Sequence, residues 1–99
     1  LRLAKEIEKS GAFSIVLECI NSSAAKKITE TTKIPTIGIG SSKYCNGQIL
    51  VTDDIIGMSG FYPKFIKKYA NTSKIVKKAV YEFSKEVKNN KFPKRKNSF

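Results

Sequence analysis

The sequence predicts an α/β fold organised on a parallel sheet, and three observations predict it. The run Phe13-Ser14-Ile15-Val16-Leu17 is a near-continuous apolar segment, the pattern of a parallel strand covered on both faces. A second short segment, Thr36-Ile37-Gly38-Ile39, follows a stretch of helical character. A strand–helix–strand unit of this spacing needs a crossover that leaves both strand C-termini on one edge of the sheet. At that edge stand Glu18-Cys19 after the first strand and Gly40-Ser41-Ser42 after the second, where α/β proteins place their chemistry.

Taken in order, Leu1 to Lys9 carries Leu3, Ala4 and Ile7 on one helical face, and Gly11 stands where a helix stops. The first strand spans residues 12–18. Asn21 or Ser22 caps a helix to Thr32 that turns Ala24, Ala25 and Ile28 inward, and Pro35 closes it before the second strand. Residues 48–56 are ambiguous: Ile49-Leu50-Val51 suits a strand, whereas Ile55-Ile56-Gly57 suits a short helix with a glycine stop. Pro63 opens a predicted helix burying Phe65, Ile66 and Tyr69. The clearest helix lies between Ser73 and Lys88, with Ile75, Val76, Ala79, Val80, Phe83 and Val87 at i, i+3, i+4 spacing and lysines largely off that stripe. Residues 89–99 form a polar, lysine-rich tail.

Composition narrows the function. The 99 residues, 40% apolar and 27% charged, suit one globular domain. No apolar run approaches the roughly 20 residues that span a bilayer, and no signal-peptide pattern opens the chain, so a cytoplasmic protein that engages no membrane is expected. Cys19 and Cys45 share no metal-ligand spacing and are expected as free thiols. With no histidine, Ser-His and Cys-His pairs and His-ligated metals are excluded within this chain, and acid–base work falls to Glu, Asp, Lys or Tyr. The net charge of +11 is uneven: residues 1–62 carry 7 basic against 6 acidic side chains, and residues 63–99 carry 12 against 2. Only Arg2 and Arg95 are arginines, so this charge suits non-specific attraction better than specific nucleic-acid recognition.

Two parallel strands do not make a self-sufficient sheet, because their edges and faces stay uncovered. The chain also starts inside a helical pattern, at Leu1. These residues are therefore expected to be the last two strand–helix units of a larger α/β domain followed by a helical extension.

Glu18 is the candidate for chemistry. A carboxylate following Ile15-Val16-Leu17 is expected to be partly desolvated, which raises its pKa and suits a general base. The plainer alternative is a surface glutamate ending a strand or pairing with a lysine. Cys19 beside it is expected to pack in the core, having no histidine to activate it. Gly38-Ile39-Gly40-Ser41-Ser42 lacks the GxGxxG and GK[ST] phosphate-binding patterns, and its glycines suit a tight reversal or the close approach of a ligand to backbone. Asp53-Asp54 is not expected to hold a metal, since adjacent side chains diverge in a strand and lie about 100° apart on a helix.

Gly11-Ala12-Phe13, Val16-Leu17-Glu18-Cys19, Ile34-Pro35-Thr36-Ile37-Gly38-Ile39-Gly40 and Cys45-Asn46-Gly47-Gln48-Ile49-Leu50-Val51 together resemble the ketopantoate hydroxymethyltransferase family. The resemblance continues through Asp54-Ile55-Ile56-Gly57, Pro63-Lys64-Phe65, Lys68-Tyr69 and Phe92-Pro93 to Ser98-Phe99. It implies the last two strand–helix units of a (β/α)8 TIM barrel plus C-terminal helices, an incomplete barrel whose strands 13–18 and 35–39 are its seventh and eighth. Residues 1–62 would be the C-terminal part of that barrel and residues 63–99 a helical extension and basic tail.

The resemblance also implies an activity: transfer of a one-carbon unit from 5,10-methylenetetrahydrofolate to 3-methyl-2-oxobutanoate, giving ketopantoate for pantothenate and coenzyme A synthesis. Mg²⁺ is the implied metal, a homodecamer the implied assembly, and Glu18 matches the proton acceptor of the family's Leu-Glu-Cys motif. The family's Mg²⁺ ligands and most of its keto-acid contacts lie in earlier barrel strands that this chain lacks. Its N-terminal barrel portion is thus an implied partner, and the 99 residues alone are expected to be inactive. Departures from the family pattern are Ser41-Ser42 in place of Ala-Gly, Asn46 in place of Asp, Asp53 in place of His, and the basic ending Lys94-Arg95-Lys96 in place of an acidic one. The competing expectation is a non-catalytic remnant, or a lysine-rich module that binds nucleic acid or acidic surfaces.

Overall fold

The computed structural model describes all 99 residues. The elements run α1 (Arg2–Lys9), β1 (Ile15–Glu18), α2 (Ser22–Thr31), β2 (Thr36–Ile39), β3 (Gly47–Gln48), α3 (Thr52–Ile55) and α4 (Thr72–Lys88), with a short 3₁₀ turn at Arg95–Asn97. The strands form one parallel sheet in the order β1-β2-β3, with Ile15 opposite Thr36, Glu18 opposite Ile39 and Ile37 opposite Gly47. With its helices and its unclosed sheet, this is an incomplete α/β barrel-like fold. No helix is long and apolar enough to cross a membrane.

The helices cover one face of the sheet only. Successive strand side chains alternate between faces, so Ile15 and Leu17 are buried while Val16 and Glu18 are exposed. The buried side packs Ile15 and Leu17 with Ala4 of α1, Ala25 and Ile28 of α2, and Cys45, bordered by Ile7, Ile20 and Ile34. A strand covered on both faces was the expectation; within these 99 residues the helices cover one face, and Val16 on the other is 53% exposed. Phe13 lies ahead of the strand and is exposed, as is Ala24 on the outer side of α2.

Local chemistry sets the element ends. Gly11 takes a left-handed conformation, φ +91°, just after α1. The Asn21 side chain caps α2 by accepting the Ser23 amide at 3.0 Å. The far end of α1 is tied to the segment before β2, where the Glu8 carboxylate accepts the Lys33 amide and the Lys5 ammonium donates to the Thr31 carbonyl. The Lys33 amide, and after it Lys5, hold the Glu8 carboxyl below its usual range against a smaller opposing desolvation.

The third strand and the segment after Pro63 depart from the sequence expectation. β3 is a two-residue strand, extended by an Ile49 amide bonded to the Gly38 carbonyl at 3.0 Å, while Ile49 and Val51 themselves are exposed and outside any strand. No helix starts at Pro63. The amides of Tyr69 and Ala70 bond to the Ile55 carbonyl at 2.8 and 3.2 Å, so these donors serve the end of α3 rather than a helical ladder. The Thr72 and Ser73 amides continue the clamp onto Ile56 and Gly57. Phe65 is partly exposed and Tyr69 is 68% exposed, not buried.

α4 has the predicted periodicity but no cover: none of its residues is buried, and Ile75 and Phe83 are 68% and 55% exposed. Its C-terminal end folds back, with the Lys91 amide on the Glu86 carbonyl at 2.8 Å and Phe92 edge-on to Phe83 at 5.5 Å. The molecule is accordingly elongated, 67 × 28 × 16 Å, with a radius of gyration of 22.4 Å. A compact chain of this length measures about 13 Å.

Candidate active site at the strand C-terminal edge

Glu18 is the last residue of β1, paired in register with Ile39, the last residue of β2. Strand alternation sends it to the open face with Val16, away from buried Leu17. Within these 99 residues Glu18 stands exposed on that face, while its apolar neighbour Leu17 points into the helix-covered side. It pairs with no lysine. The chain's ion pairs are Arg2–Glu6, Lys5–Glu8 and Lys26–Glu30.

The chain turns sharply after Glu18. Cys19 adopts φ +51°, an uncommon left-handed conformation for a residue with a Cβ, and its amide bonds to the Ile39 carbonyl at 2.9 Å. That turn swings the Cys19 side chain outward, so the expectation of core packing is corrected: Cys19 is exposed, Cys45 is the buried cysteine, and both are free thiols. The predicted neighbourhood of Glu18-Cys19 and Gly40-Ser41-Ser42 is present. Ser41 Oγ donates to the Leu17 carbonyl at 2.6 Å and accepts the Ile20 amide at 3.0 Å, joining the two strand-end loops through one hydroxyl. Ser22 Oγ at the start of α2 donates to Ser42 Oγ at 3.1 Å, and Gln48 Nε2 donates to the Ser42 carbonyl at 2.7 Å.

Between these loops lies a cleft of about 790 Å³, bounded by Cys19, Ile20, the start of α2, residues 40–43, Gln48, Lys64 and Phe65. Gly40 is required where the backbone meets Phe65. Its φ is +64°, and a Cβ there would come within 2.8 Å of the Phe65 ring. Glu18 borders this cleft through Cys19 but does not line it. No group of three or more His, Cys, Asp or Glu side chains converges anywhere in the chain, so these residues offer no donor set for Mg²⁺. Asp53 and Asp54 lie in the first turn of the four-residue α3.

Sequence reasoning located the strand ends and the glycine turn but missed Gln48, Lys64 and Phe65 as parts of the cleft. Gln48 arrives through the short strand β3. Lys64 and Phe65 arrive through the irregular segment that the Ile55 carbonyl anchors, and no local periodicity marks either event. Two serines directly after a strand-end glycine were the available sign of a hydroxyl-stitched edge.

Residues 1–95 match the family described as ketopantoate hydroxymethyltransferase. Among individual proteins, the chain is 52% identical over 99 residues to the 3-methyl-2-oxobutanoate hydroxymethyltransferase of Pelagibacter ubique (strain HTCC1062), covering 100% of this chain and 38% of that protein. The protein of the same name from Thermotoga maritima is 52% identical over 100 residues, covering 100% and 37%. That from Clostridium botulinum (strain 657 / Type Ba4) is 53% identical over 97 residues, covering 97% and 35%. The chain thus spans little more than a third of the length of these curated relatives.

Proposed function

Because the chain belongs to the ketopantoate hydroxymethyltransferase family, we propose that it supplies the proton-accepting edge of an enzyme that moves a one-carbon unit from 5,10-methylenetetrahydrofolate to 3-methyl-2-oxobutanoate. With water, the products are ketopantoate and tetrahydrofolate, on the way to pantothenate and coenzyme A. In this reading residues 1–62 are the C-terminal part of the barrel, residues 63–99 are its helical extension, and the enzyme is a homo-oligomer. The barrel's other strands cover the face that carries Val16 and Glu18.

The observation that carries the proposal is the position of Glu18, the terminal residue of β1 on the uncovered face at the strand C-terminal edge. Barrel enzymes place catalytic groups at that edge. Glu18 takes the proton from the carbon beside the keto group, leaving an enolate whose carbon forms the new bond to the methylene unit. Ser41 holds the turn after Glu18 by bonding Leu17 and Ile20 on either side of it. Mg²⁺, which the resemblance implies, would polarise the keto oxygen when bound. The residues here do not form its site, and the steps assigned to this chain do not pass through it.

The test is to co-express the chain with the first six strand–helix units of a family member and to assay ketopantoate formation. The assembled protein is expected to turn over and the 99 residues alone are not. Glu18→Gln is expected to lower kcat by about 100-fold or more with unchanged folding. Activity retained in that variant would remove Glu18 from the base role.

A further inference from the structure

The cleft beside Glu18 has a composition that the proton-transfer role does not use. Two lysines, Lys43 and Lys64, line it and no Asp or Glu does. Neither lysine takes part in an ion pair, and the Lys43 ammonium lies 5.4 Å from the centre of the Tyr44 ring. The third element is Phe65, whose ring is seated against Gly40 while the residue stays 38% exposed. Unpaired ammonium groups attract anions, and an exposed aromatic face accepts another ring.

The two reactants differ in what they could place here. The keto acid is a small branched monocarboxylate, with no ring to set against Phe65 and a single charge to set against two lysines. The folate co-substrate carries a p-aminobenzoyl ring joined to a glutamate, an aromatic group followed by carboxylates. Resting on the hydroxymethyltransferase reading above, we propose that this cleft is the seat of the co-substrate's tail, with Phe65 against the p-aminobenzoyl ring and Lys43 and Lys64 facing the glutamyl carboxylates. The methylene-bearing end then lies toward Cys19 and Glu18, and each added glutamate of a polyglutamyl folate meets further positive potential.

The experiment is steady-state kinetics of the assembled enzyme with mono- and triglutamyl 5,10-methylenetetrahydrofolate. Wild type is compared with Lys43→Gln, Lys64→Gln, the double variant and Lys88→Gln, a lysine on α4 outside the cleft. Each cleft substitution is expected to raise the folate KM by a factor of about two to five, the range of exposed ion pairs. The keto-acid KM is expected to hold, the advantage of the triglutamyl form to shrink in the double variant, and Lys88→Gln to match wild type. An unchanged folate KM in the double variant overturns the proposal and leaves the hydroxymethyltransferase reading standing. If the assembled wild type does not turn over, that reading fails. Equilibrium binding of p-aminobenzoyl-L-glutamate to the same protein then decides the cleft: binding that the double variant loses supports the assignment, and no binding overturns it.

Discussion

Ser41 Oγ sits 2.6 Å from the carbonyl oxygen of Leu17, and through this hydroxyl the loop after β2 grips the last turn of backbone before Glu18. The same oxygen accepts the Ile20 amide, so one side chain braces both sides of the Glu18-Cys19 turn. The neighbouring hydroxyl is engaged as well, Ser42 with Ser22 and with the Tyr44 amide.

Removing the Ser41 brace is expected to cost about 1 kcal/mol, the usual net value of a hydrogen-bonded hydroxyl at a site where water can replace it. Urea unfolding of Ser41→Ala against wild type measures this. In the assembled enzyme the variant is expected to lose kcat, because it loosens the Glu18 turn.

Asn46 is a larger structural risk. Its Oδ1 accepts the Thr36 amide at 2.9 Å, and Thr36 is fully buried at the start of β2. Asn46→Ala strands that amide without a partner and is expected to destabilise by about 1–3 kcal/mol. Asn46→Asp restores the acceptor, and is expected to unfold near the wild-type urea midpoint.

At Gly57, backbone conformation and space act together. Its φ is +78°, and a Cβ would lie 2.3 Å from the Ala70 carbonyl oxygen. The left-handed conformation alone costs a residue with a side chain about 1–2 kcal/mol. Gly57→Ala is expected to release residues 69–73 from α3, read as faster amide exchange at Tyr69, Ala70, Thr72 and Ser73.

Acid is expected to loosen the junction between α1 and the segment before β2. The folded-state pKa of Glu8 is lowered, chiefly by the Lys33 amide and then by Lys5. A lowered carboxyl contributes stability that is present above its unfolded pKa and is lost as pH falls through the carboxylate range to its folded value. Protection of the Lys33 amide should decline in that window, and Glu8→Gln should remove the pH dependence.

Much of this arrangement was legible in the sequence because local patterns encode it. Periodicity revealed α1, α2 and α4, the pair Asn21-Ser22 marked the start of α2, and the apolar run ending at Glu18 marked β1. β3 was not legible: Gly47-Gln48 is too short to alternate and pairs only because the chain returns beside β2. The helix expected at Pro63 failed because the Ile55 carbonyl takes the amides that a helix would need. Cys19 was expected in the core from its type, yet a left-handed turn decides its direction. The position of Glu18 followed from the sequence, whereas its exposure depends on which face the helices cover, a property of packing rather than of any local pattern.

The bareness of α4 and of one sheet face has a calorimetric consequence. Only 10 of 99 residues are buried, so unfolding this chain uncovers little apolar surface that water does not already wet. Its heat-capacity increment should fall well short of the roughly 1.2–1.5 kcal/mol/K usual for about 100 residues. Its melting should be correspondingly broad. Closing the sheet into a barrel would restore both the increment and the sharpness, making heat capacity a direct gauge of how much of the enzyme has come together.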